Sequence, residues 1–522
     1  MDRLIPTLRA YPELARFFAL LIGTSESVGA LIGDRVFGWL RFARPIPPAL
    51  RRFGSRGPTG FVAVICVVIV STTTPSRAQT ASASPPGETS QLVPPDRQEI
   101  ADQEHLASWT VNKIRPQPYM NEIYWRFPDD TPAFFRDSLV QFVARTYYLT
   151  RDNADGTRSQ AWAAGGWLAY RSGLIGDIFG VHAAYYTSQK LFGPPDEGGT
   201  KLLAPGQNSI GVLGQIYGRA QFGDQEFRGG YQLVDTPLIN PQDNRMVPNT
   251  FGGITLDSLP DKDRKYDYAL GYLWTVKQRD SNVFIPMSDA LAGDAINHGA
   301  AFAMVKWRPV SGLSTVFMDY NIQDYINSGF VQAEYDFKQP KGVPNWIVGA
   351  NIITQQSVGA DLLTGNSFMT HQASAKLQMV YAGWTLFAAG SFTGNESKLF
   401  SPFGTKPNYT DMQQVSFDNA GEKALGGSLA YDFGYALGLP GVSAGAWYTQ
   451  GWDAINPATL LGIPDRRELD VWLQYRPTEG PLKGFRVKTQ YSSLWQQGNV
   501  RDPQTEFRFI VDYTVLFRPP IN

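Results

Sequence analysis

Basic side chains recur along the chain at positions that alternate with apolar ones, a pattern that could bind and guide an anion. Seven of them form the set that we call the basic ladder: Arg145, Arg219, Arg228, Lys277, Arg486, Lys488 and Arg508. A carboxylate that leaves water loses its hydration, and guanidinium or ammonium donors can replace that hydration stepwise. The pattern predicts a pathway for small carboxylated solutes, although such charges could also serve only to keep a wet interior polar.

Acidic residues form a second set, which we expect to face the ladder from the opposite wall. This acidic wall comprises Asp319, Glu334, Asp336 and Asp432. A basic wall that faces an acidic one would set up a transverse field across a narrow, water-filled path.

Two long stretches between the patterned segments are candidates for narrowing that path. The first, 234–250, is Pro-rich and carries Asp235, Asp243 and Arg245. The second is the thirty-residue stretch 393–422. An ordinary surface loop is the alternative interpretation of each.

Catalytic chemistry has little support in the sequence. The four histidines, at 105, 182, 298 and 371, lie in no recognisable motif. The run at 426–430, GGSLA, only approximates a nucleophile elbow and lacks the strand-turn-helix context that an elbow needs. No Cys/His spacing suggests zinc, and no Gly-rich loop precedes a helix. We therefore expect no enzyme, no bound metal and no cofactor.

The elements that must position these side chains are predicted to be strands. From about residue 138, segments of roughly ten residues alternate apolar and polar side chains, as expected for a strand with period two. In 506–517, for example, Phe507, Phe509 and Val511 oppose Arg508 and Asp512. Eighteen such segments are predicted, near 138–150, 161–171, 177–187, 211–222, 225–233, 251–257, 266–279, 299–308, 313–321, 329–338, 345–356, 371–381, 384–392, 423–433, 442–451, 467–477, 484–494 and 506–517.

The connections between these segments alternate in length. Short links such as 223–224, 309–312 and 382–383 alternate with long ones such as 188–210 and 393–422, and the ninth-to-tenth link, only moderately long, is an exception. Short turns at one end and long loops at the other are typical of outer-membrane barrels. Tyr, Trp and Phe near the segment ends predict the aromatic girdles of such a barrel. A basic residue on the lipid face would cost ~2–4 kcal/mol at mid-membrane, which favours an inward ladder.

The amino-acid composition agrees with an outer-membrane barrel. Of 522 residues, 18% are charged and 13% are aromatic, and there are 51 glycines. Few charges with many aromatic and glycine residues suit a lipid-facing sheet, whereas a soluble α/β enzyme usually carries more charge.

The N-terminal region has the features of an export signal. A short apolar run at 60–70 follows Arg51, Arg52 and Arg56 and precedes small residues around Arg77, so cleavage is predicted after Ala78. Eleven apolar residues fall short of the ~20 that a spanning helix needs. Residues before the run are a true extension or an over-long assigned start. The single cysteine, at 66, would be removed, and the mature chain would have charge 36 − 43 = −7, which gives no basic excess for nucleic acid.

Several stretches resemble the OprD-like outer-membrane porins. The first is SLVQFVARTYYLTRD at 138–152, and the second is RGGYQLVDTPLINPQDNRMVPNTFGGITL, with Arg245, Pro248, Thr250 and Phe251 in an R-x-x-P-x-T-F element. FDNAGEKALGGSLAYDFGYALGLPGVSAGAWYTQG and GPLKGFRVKTQY near the C-terminus complete the resemblance, which spans about 138–517. It implies an eighteen-stranded monomeric barrel whose inward-folded loops and basic residues select small carboxylated solutes, such as amino acids or aromatic acids.

We therefore expect an all-β fold: one transmembrane, antiparallel, up-and-down β-barrel of about eighteen strands in a bacterial outer membrane. Residues 1–78 would be removed, 79–137 would be a flexible periplasmic lead-in followed by an irregular segment or plug, 138–517 the barrel and 518–522 a tail. The expected partners are a small carboxylated solute, lipid with lipopolysaccharide, and the barrel-insertion machinery through the last strand, for a monomer or weak oligomer. A wide general-diffusion porin and a non-conducting structural or adhesive barrel are the alternatives.

Overall fold

The fold is known from a computed structural model that describes residues 119–259, 264–294, 296–405 and 407–520. The predicted export signal, its N-terminal extension and most of the lead-in lie outside the described residues. The described strands are β1 (Asn121–Tyr124), β2 (Leu139–Asp152), β3 (Arg158–Arg171), β4 (Phe179–Phe192), β5 (Ile210–Phe222), β6 (Gln225–Gln232), β7 (Thr250–Ser258), β8 (Tyr266–Lys277), β9 (Ile285–Pro286), β10 (Ala300–Trp307), β11 (Leu313–Ile322), β12 (Ile326–Asp336), β13 (Asn345–Gln356), β14 (Met369–Tyr381), β15 (Trp384–Thr393), β16 (Lys423–Asp432), β17 (Val442–Trp452), β18 (Arg466–Tyr475), β19 (Phe485–Gln496) and β20 (Gln504–Arg518). Three short helices, α1 (Ala133–Arg136), α2 (Asp289–Ala292) and α3 (Phe433–Leu437), lie between them.

The strands close into a barrel. Eighteen of the described strands, β2–β8 and β10–β20, pair antiparallel with their neighbours in chain order, and β10 pairs directly with β8. The barrel closes where β2 pairs with β20, with Val140 opposite Phe517 and Arg151 opposite Glu506. The predicted all-β barrel of eighteen strands is confirmed, and each of the eighteen predicted segments overlaps one of these strands.

The two ends of the barrel differ in their connections. At the short-turn end, β5 and β6 are joined by residues 223–224, and β14 and β15 by residues 382–383. At the loop end, 233–249 joins β6 to β7 and 394–422 joins β15 to β16. The ninth-to-tenth link of the prediction is shorter than expected, because β11 and β12 are separated only by residues 323–325.

The inner and outer faces alternate along each strand. In β10, Ala300, Phe302, Met304 and Lys306 are buried, whereas the residues between them are exposed. Outward Trp and Tyr residues lie near the strand ends at the short-turn side, as predicted for a girdle: Trp307, Trp346, Tyr381 and Trp384. The alternation places the lipid-facing and lumen-facing side chains and so determines which charges can line a pathway.

Candidate functional site in the barrel lumen

The seam between β19, β20 and β2 carries the centre of the basic ladder. Arg145 and Arg486 occupy register positions on either side of Asp512. Arg145 Nε donates to Asp512 Oδ1 and Arg486 Nε donates to Asp512 Oδ2, both at 2.6 Å. All three side chains lie on the inner face, so one carboxylate is shared by two guanidiniums.

Further inward positions of the same strands are also charged. Arg508 pairs with Glu506, and its Nη2 donates to the backbone oxygen of Gln413 at 3.0 Å. Lys488 lies inward on β19, only 1% exposed, in register with Ile510. The seam therefore combines four ladder cations with two carboxylates.

The remaining ladder residues lie elsewhere on the inner wall. Arg219 and Arg228 face each other across β5 and β6, near the short-turn end. Arg219 pairs with Glu226 at 3.1 Å, and Arg228 pairs with Asp257. Predicted ladder positions thus face inward, but they form separate groups, each interleaved with carboxylates.

Lys277 has a different environment from the other ladder residues. Its ammonium donates to the carbonyl oxygens of Pro248, at 2.8 Å, and Gln278, at 3.1 Å. Lys277 therefore ties β8 to the end of the loop that joins β6 to β7.

That loop, 233–249, folds into the lumen. Asp243 Oδ1 accepts a hydrogen bond from Arg145 at 2.9 Å, and the backbone oxygen of Arg245 accepts another from the same guanidinium at 2.5 Å. Arg245 is only 6% exposed and donates from Nε to the carbonyl of Thr200 at 2.9 Å. Asp235, half-buried, lies at the start of the same loop. The loop predicted to narrow the path thus reaches the ladder wall.

The loop 394–422, the second stretch predicted to narrow the path, also folds inward. Its segment Gln413–Val415 is held by the wall, where Glu468 Oε1 accepts from Gln414 N at 2.7 Å and Oε2 accepts from Val415 N at 3.1 Å. Asp470 Oδ2 accepts from Gln413 N at 3.0 Å.

The two inward loops hold each other through one asparagine. The backbone N–H of Asn240 donates to the Phe403 carbonyl at 2.9 Å, and its Nδ2 donates to the Thr405 carbonyl at 2.6 Å. Gly404, between these two residues, approaches so closely that an added Cβ would lie 2.1 Å from Asn240 Oδ1. We call this contact the loop clasp.

One side of the lumen is filled by an apolar core. Residues of both loops, including Leu238, Ile239 and Phe403, pack there against inward side chains of β8, β10, β11, β12 and β13, such as Phe302 and Met318. This core occupies the space beside those strands, so it narrows the part of the lumen that is left for a polar pathway.

The predicted acidic wall does not form as a unit. Asp319 lies on the outer face of β11, with its carboxylate bonded to Asn327, because the inward positions beside it are the buried Met318 and Tyr320. Its predicted lumen position is wrong. Glu334 does face inward, but it pairs with Lys376 at 2.9 Å.

The other two acids of that wall lie at the short-turn end. Asp336 accepts hydrogen bonds from Asn345 Nδ2 and from the backbone N–H of Lys338. Asp432 caps α3 by accepting from Gly434 N at 2.9 Å. The predicted transverse field therefore lacks a continuous acidic side.

A group of three arginines brings the inward loops and the wall together. We call Arg245, Arg279 and Arg508 the arginine cluster. Burial and the neighbouring Arg508 lower the pKa of Arg245. Burial and then Arg245 lower the pKa of Arg279 to about 9. Like charges close together disfavour one another, so an anion among them is stabilised, as Glu506 is beside Arg508.

Arg279 is the member of the cluster that sequence reasoning did not single out, since Arg245 was assigned to the constriction loop and Arg508 to the ladder. It follows β8, and its guanidinium bonds Asn244 of the inward loop. Arg279 lies two residues after Lys277 in the predicted segment 266–279 and so shares its inward face by alternation, which was the available signal. Its approach to Arg245 depends on how loop 233–249 folds.

Comparisons with known proteins agree with this architecture. A family model described as outer membrane porin, OprD family, matches residues 132–517. The chain belongs to the OprD family of outer-membrane porins. The curated Porin D of Pseudomonas aeruginosa is 24% identical over 439 residues, covering 74% of this chain and 92% of that protein.

Solved porins share the fold. OccK9 (OpdG) of P. aeruginosa superposes with a TM-score of 0.66 at 23% identity, covering 74% of this chain and all of that chain. OccAB2 of Acinetobacter baumannii gives 0.66 at 22% identity, with the same coverage of each chain. A structure of P. aeruginosa OpdK with vanillate gives 0.64 at 21% identity, covering 73% of this chain and all of that chain.

Membership of the OprD family locates the protein in the bacterial outer membrane, with its short-turn end on the periplasmic side. Its relatives are porins, which are channels rather than enzymes. Helices of the described residues are all too short or too polar to span a membrane. Within the described ranges, no group of three or more His, Cys, Asp or Glu residues is arranged to hold a metal ion.

Proposed function

We propose that this OprD-family porin is a substrate-selective channel for small carboxylated solutes, such as amino acids or aromatic acids. The observation that carries the proposal is the arginine cluster. Arg245 and Arg279 come from the loop end, where both guanidiniums donate to Asn244, and Arg508 comes from the wall. Burial and the neighbouring arginines lower the pKa of both Arg245 and Arg279. A carboxylate there would relieve the repulsion and accept charge-assisted hydrogen bonds.

The basic ladder gives such a solute its further contacts. Below the cluster lie Lys488 and the two arginines that share Asp512, and Arg219 and Arg228 lie nearer the periplasmic end. The interleaved carboxylates moderate each cation, which suits conduction because several weak sites release a solute more readily than one strong site. Asp243 and Arg245 of the inward loop would set the narrowest part of the path.

A solved structure of a related porin also supports the proposed class of solute. The OpdK structure was determined with vanillate, an aromatic carboxylate that falls within the proposed class. The apolar core beside the loops adds a reason for selectivity, because it fills part of the lumen and so narrows the path. A wide general-diffusion porin would need an unobstructed lumen.

The proposal is tested by planar-bilayer recording of the purified protein with amino acids and aromatic acids, including vanillate. We expect a small conductance that these solutes block, and a reversal potential that indicates anion preference. The double variant Arg245→Gln/Arg279→Gln should weaken the block about tenfold or more, because a hydrogen bond to a charged group contributes about 1.5–3 kcal/mol.

The matched control is Lys423→Gln, which removes an exposed cation that pairs with Asp453 on the outer side. It should leave both block and selectivity unchanged. A large conductance that no carboxylate blocks would favour the general-diffusion alternative, and an absence of conductance would favour the structural or adhesive one. Equal effects of the double variant and the control would remove the role of the arginine cluster.

We also propose that the insertion machinery recognises β20, as the aromatic-rich last strand ending at Phe517 and Arg518. In this protein the lipid-facing positions of β20 include Phe507, Phe509 and Phe517. Phe517→Ala should lower the amount of heat-modifiable, folded barrel in the outer membrane. An unchanged amount would contradict the proposal.

A further inference from the structure

A short segment before the barrel is bound to its last strand. β20 extends beyond its neighbour, because the register with β19 ends where Phe485 meets Tyr513. β1 pairs in parallel with the extension, from Asn121 opposite Val515 to Tyr124 opposite Arg518. An unpaired strand edge leaves backbone N–H and C=O groups without hydrogen-bond partners. β1 supplies these partners to the extension of β20.

Side chains fix β1 in this position. Glu122 pairs with Arg518 at 2.5 Å, and Asn121 Nδ2 donates to the Tyr513 hydroxyl at 2.9 Å. The next residue, Trp125, donates from its backbone N–H to the Arg518 carbonyl at 3.1 Å and stacks on the outward Phe517. β1 is therefore a short additional strand in the wall at the periplasmic rim.

The direction of β1 brings the preceding residues into the barrel mouth. β1 runs parallel to β20, which descends toward the periplasm, so Met120 lies deeper in the barrel than Tyr124. Met120 is only 4% exposed, and its sulfur accepts a weak hydrogen bond from the inward Gln141 at 3.9 Å.

Tyr119 completes the contact with the mouth. The Arg476 guanidinium, in the turn between β18 and β19, lies 3.3 Å from the centroid of the Tyr119 ring. Such a cation–π contact holds the two groups together. β1 and these two residues all precede residue 132, where the match to the family model begins.

We propose that Tyr119 and Met120, together with Arg476, form a second constriction of the channel at its periplasmic mouth. Solutes that pass the inward loops would meet the Tyr119 ring and the Arg476 guanidinium before they leave, with Tyr119 packed against the cluster that contains the buried Met120. This constriction adds to the one made by the loops, and it does not depend on which solute class the loops select.

The test compares two deletions in the exported chain by single-channel recording. Deletion of 79–118 keeps Tyr119, Met120 and β1, and should conduct as the parent does. Deletion of 79–127 removes them and should raise the conductance by on the order of 1.5- to 2-fold, because conduction is limited by the narrowest parts of a pore. Equal conductance of the two deletions would overturn the proposal, whichever value they share.

Point variants separate the constriction from the stability of the rim. Tyr119→Ala/Met120→Ala should raise conductance, whereas Ile123→Ala, on the outward side of β1, should not. If the deletion of 79–127 does not fold, Tyr119→Cys provides the decision, because Tyr119 is partly exposed and Cys66, the chain's single cysteine, lies in the predicted signal. A charged thiol reagent added from the periplasmic side should reduce the current, and an unchanged current would overturn the proposal.

Discussion

Arg145 Nε donates to Asp512 Oδ1 at 2.6 Å, across the seam where the first and last barrel strands meet. The two residues are register partners, and Asp512 also accepts from Arg486 at 2.6 Å. One carboxylate therefore has two roles. It pairs with two ladder cations, and it links β19, β20 and β2 at the place where the barrel closes.

Replacing Asp512 should change both selectivity and stability. In Asp512→Asn, the two guanidiniums lose their shared anion, so reversal potentials in a salt gradient should shift toward stronger anion preference. Breaking a buried ion pair by removing one partner costs about 3–5 kcal/mol. We expect a loss at the low end of that range, because Arg145 keeps its ion pair with Asp243, at 2.9 Å. Denaturant unfolding of the purified barrel measures the loss.

The matched control for that variant is Asp319→Asn. Asp319 lies on the outer face of β11 and accepts from Asn327, so its charge lies outside the lumen. Ion selectivity should stay at the parent value in this variant. A shift as large as that of Asp512→Asn would show that the assignment of faces is wrong.

The failed placement of Asp319 shows where alternation loses information. In β11 both faces are largely apolar, because Val316, Met318 and Tyr320 pack inward on the apolar core while Phe317 faces lipid. A rule that turns polar residues inward therefore chose the wrong face. On β20, where Phe509 and Arg508 alternate without ambiguity, the same rule placed the ladder residue correctly.

More of the fold than of the candidate site could be predicted from the sequence. Strand number and order follow from local period-two patterns and from loop lengths, which neighbouring residues determine. The ion pairs of the lumen do not, because Arg145 meets Asp243 across 98 positions of sequence and only after loop 233–249 folds inward. Likewise, the loop clasp joins Asn240 to Thr405 across 165 positions.

Thiol labelling should distinguish the two faces directly. In Gln474→Cys the new thiol lies at an inner position of β18, opposite Lys488. An anionic thiol reagent should bind there covalently and lower both conductance and anion preference. In Asp319→Cys, the control, the same reagent should leave the current unchanged, because the side chain at 319 is outside the lumen. An effect of labelling at 319 equal to that at 474 would contradict the two-face assignment.

Opening the loop clasp should widen the channel. Asn240→Ala removes the Nδ2 hydrogen bond to Thr405 and should raise single-channel conductance, because the two inward loops are no longer held together there. Gly404→Ala should act in the same direction, since its Cβ would clash with Asn240 and its φ of +147° is one that L side chains rarely adopt.

A control for backbone strain is Gly365→Ala. Gly365 also has a positive φ, +70°, but nothing lies within 4 Å of an added Cβ. The substitution should cost stability, by about 1 kcal/mol, without a change in conductance. Unchanged conductance in both Asn240→Ala and Gly404→Ala would mean that the clasp does not set the width of the path.

Glu468 should control the mobility of the other inward loop. Its two carboxylate oxygens accept from the backbone N–H groups of Gln414 and Val415, at 2.7 and 3.1 Å. In Glu468→Gln one of these acceptors becomes an NH₂ group, which opposes a backbone N–H, so the segment should detach part of the time. We expect more open-channel noise and faster cleavage of loop 394–422 by protease added outside. The control is Glu479→Gln, in an exposed turn at the periplasmic end. If Glu468→Gln showed the same low channel noise and the same protease resistance as this control, the role of Glu468 would be contradicted.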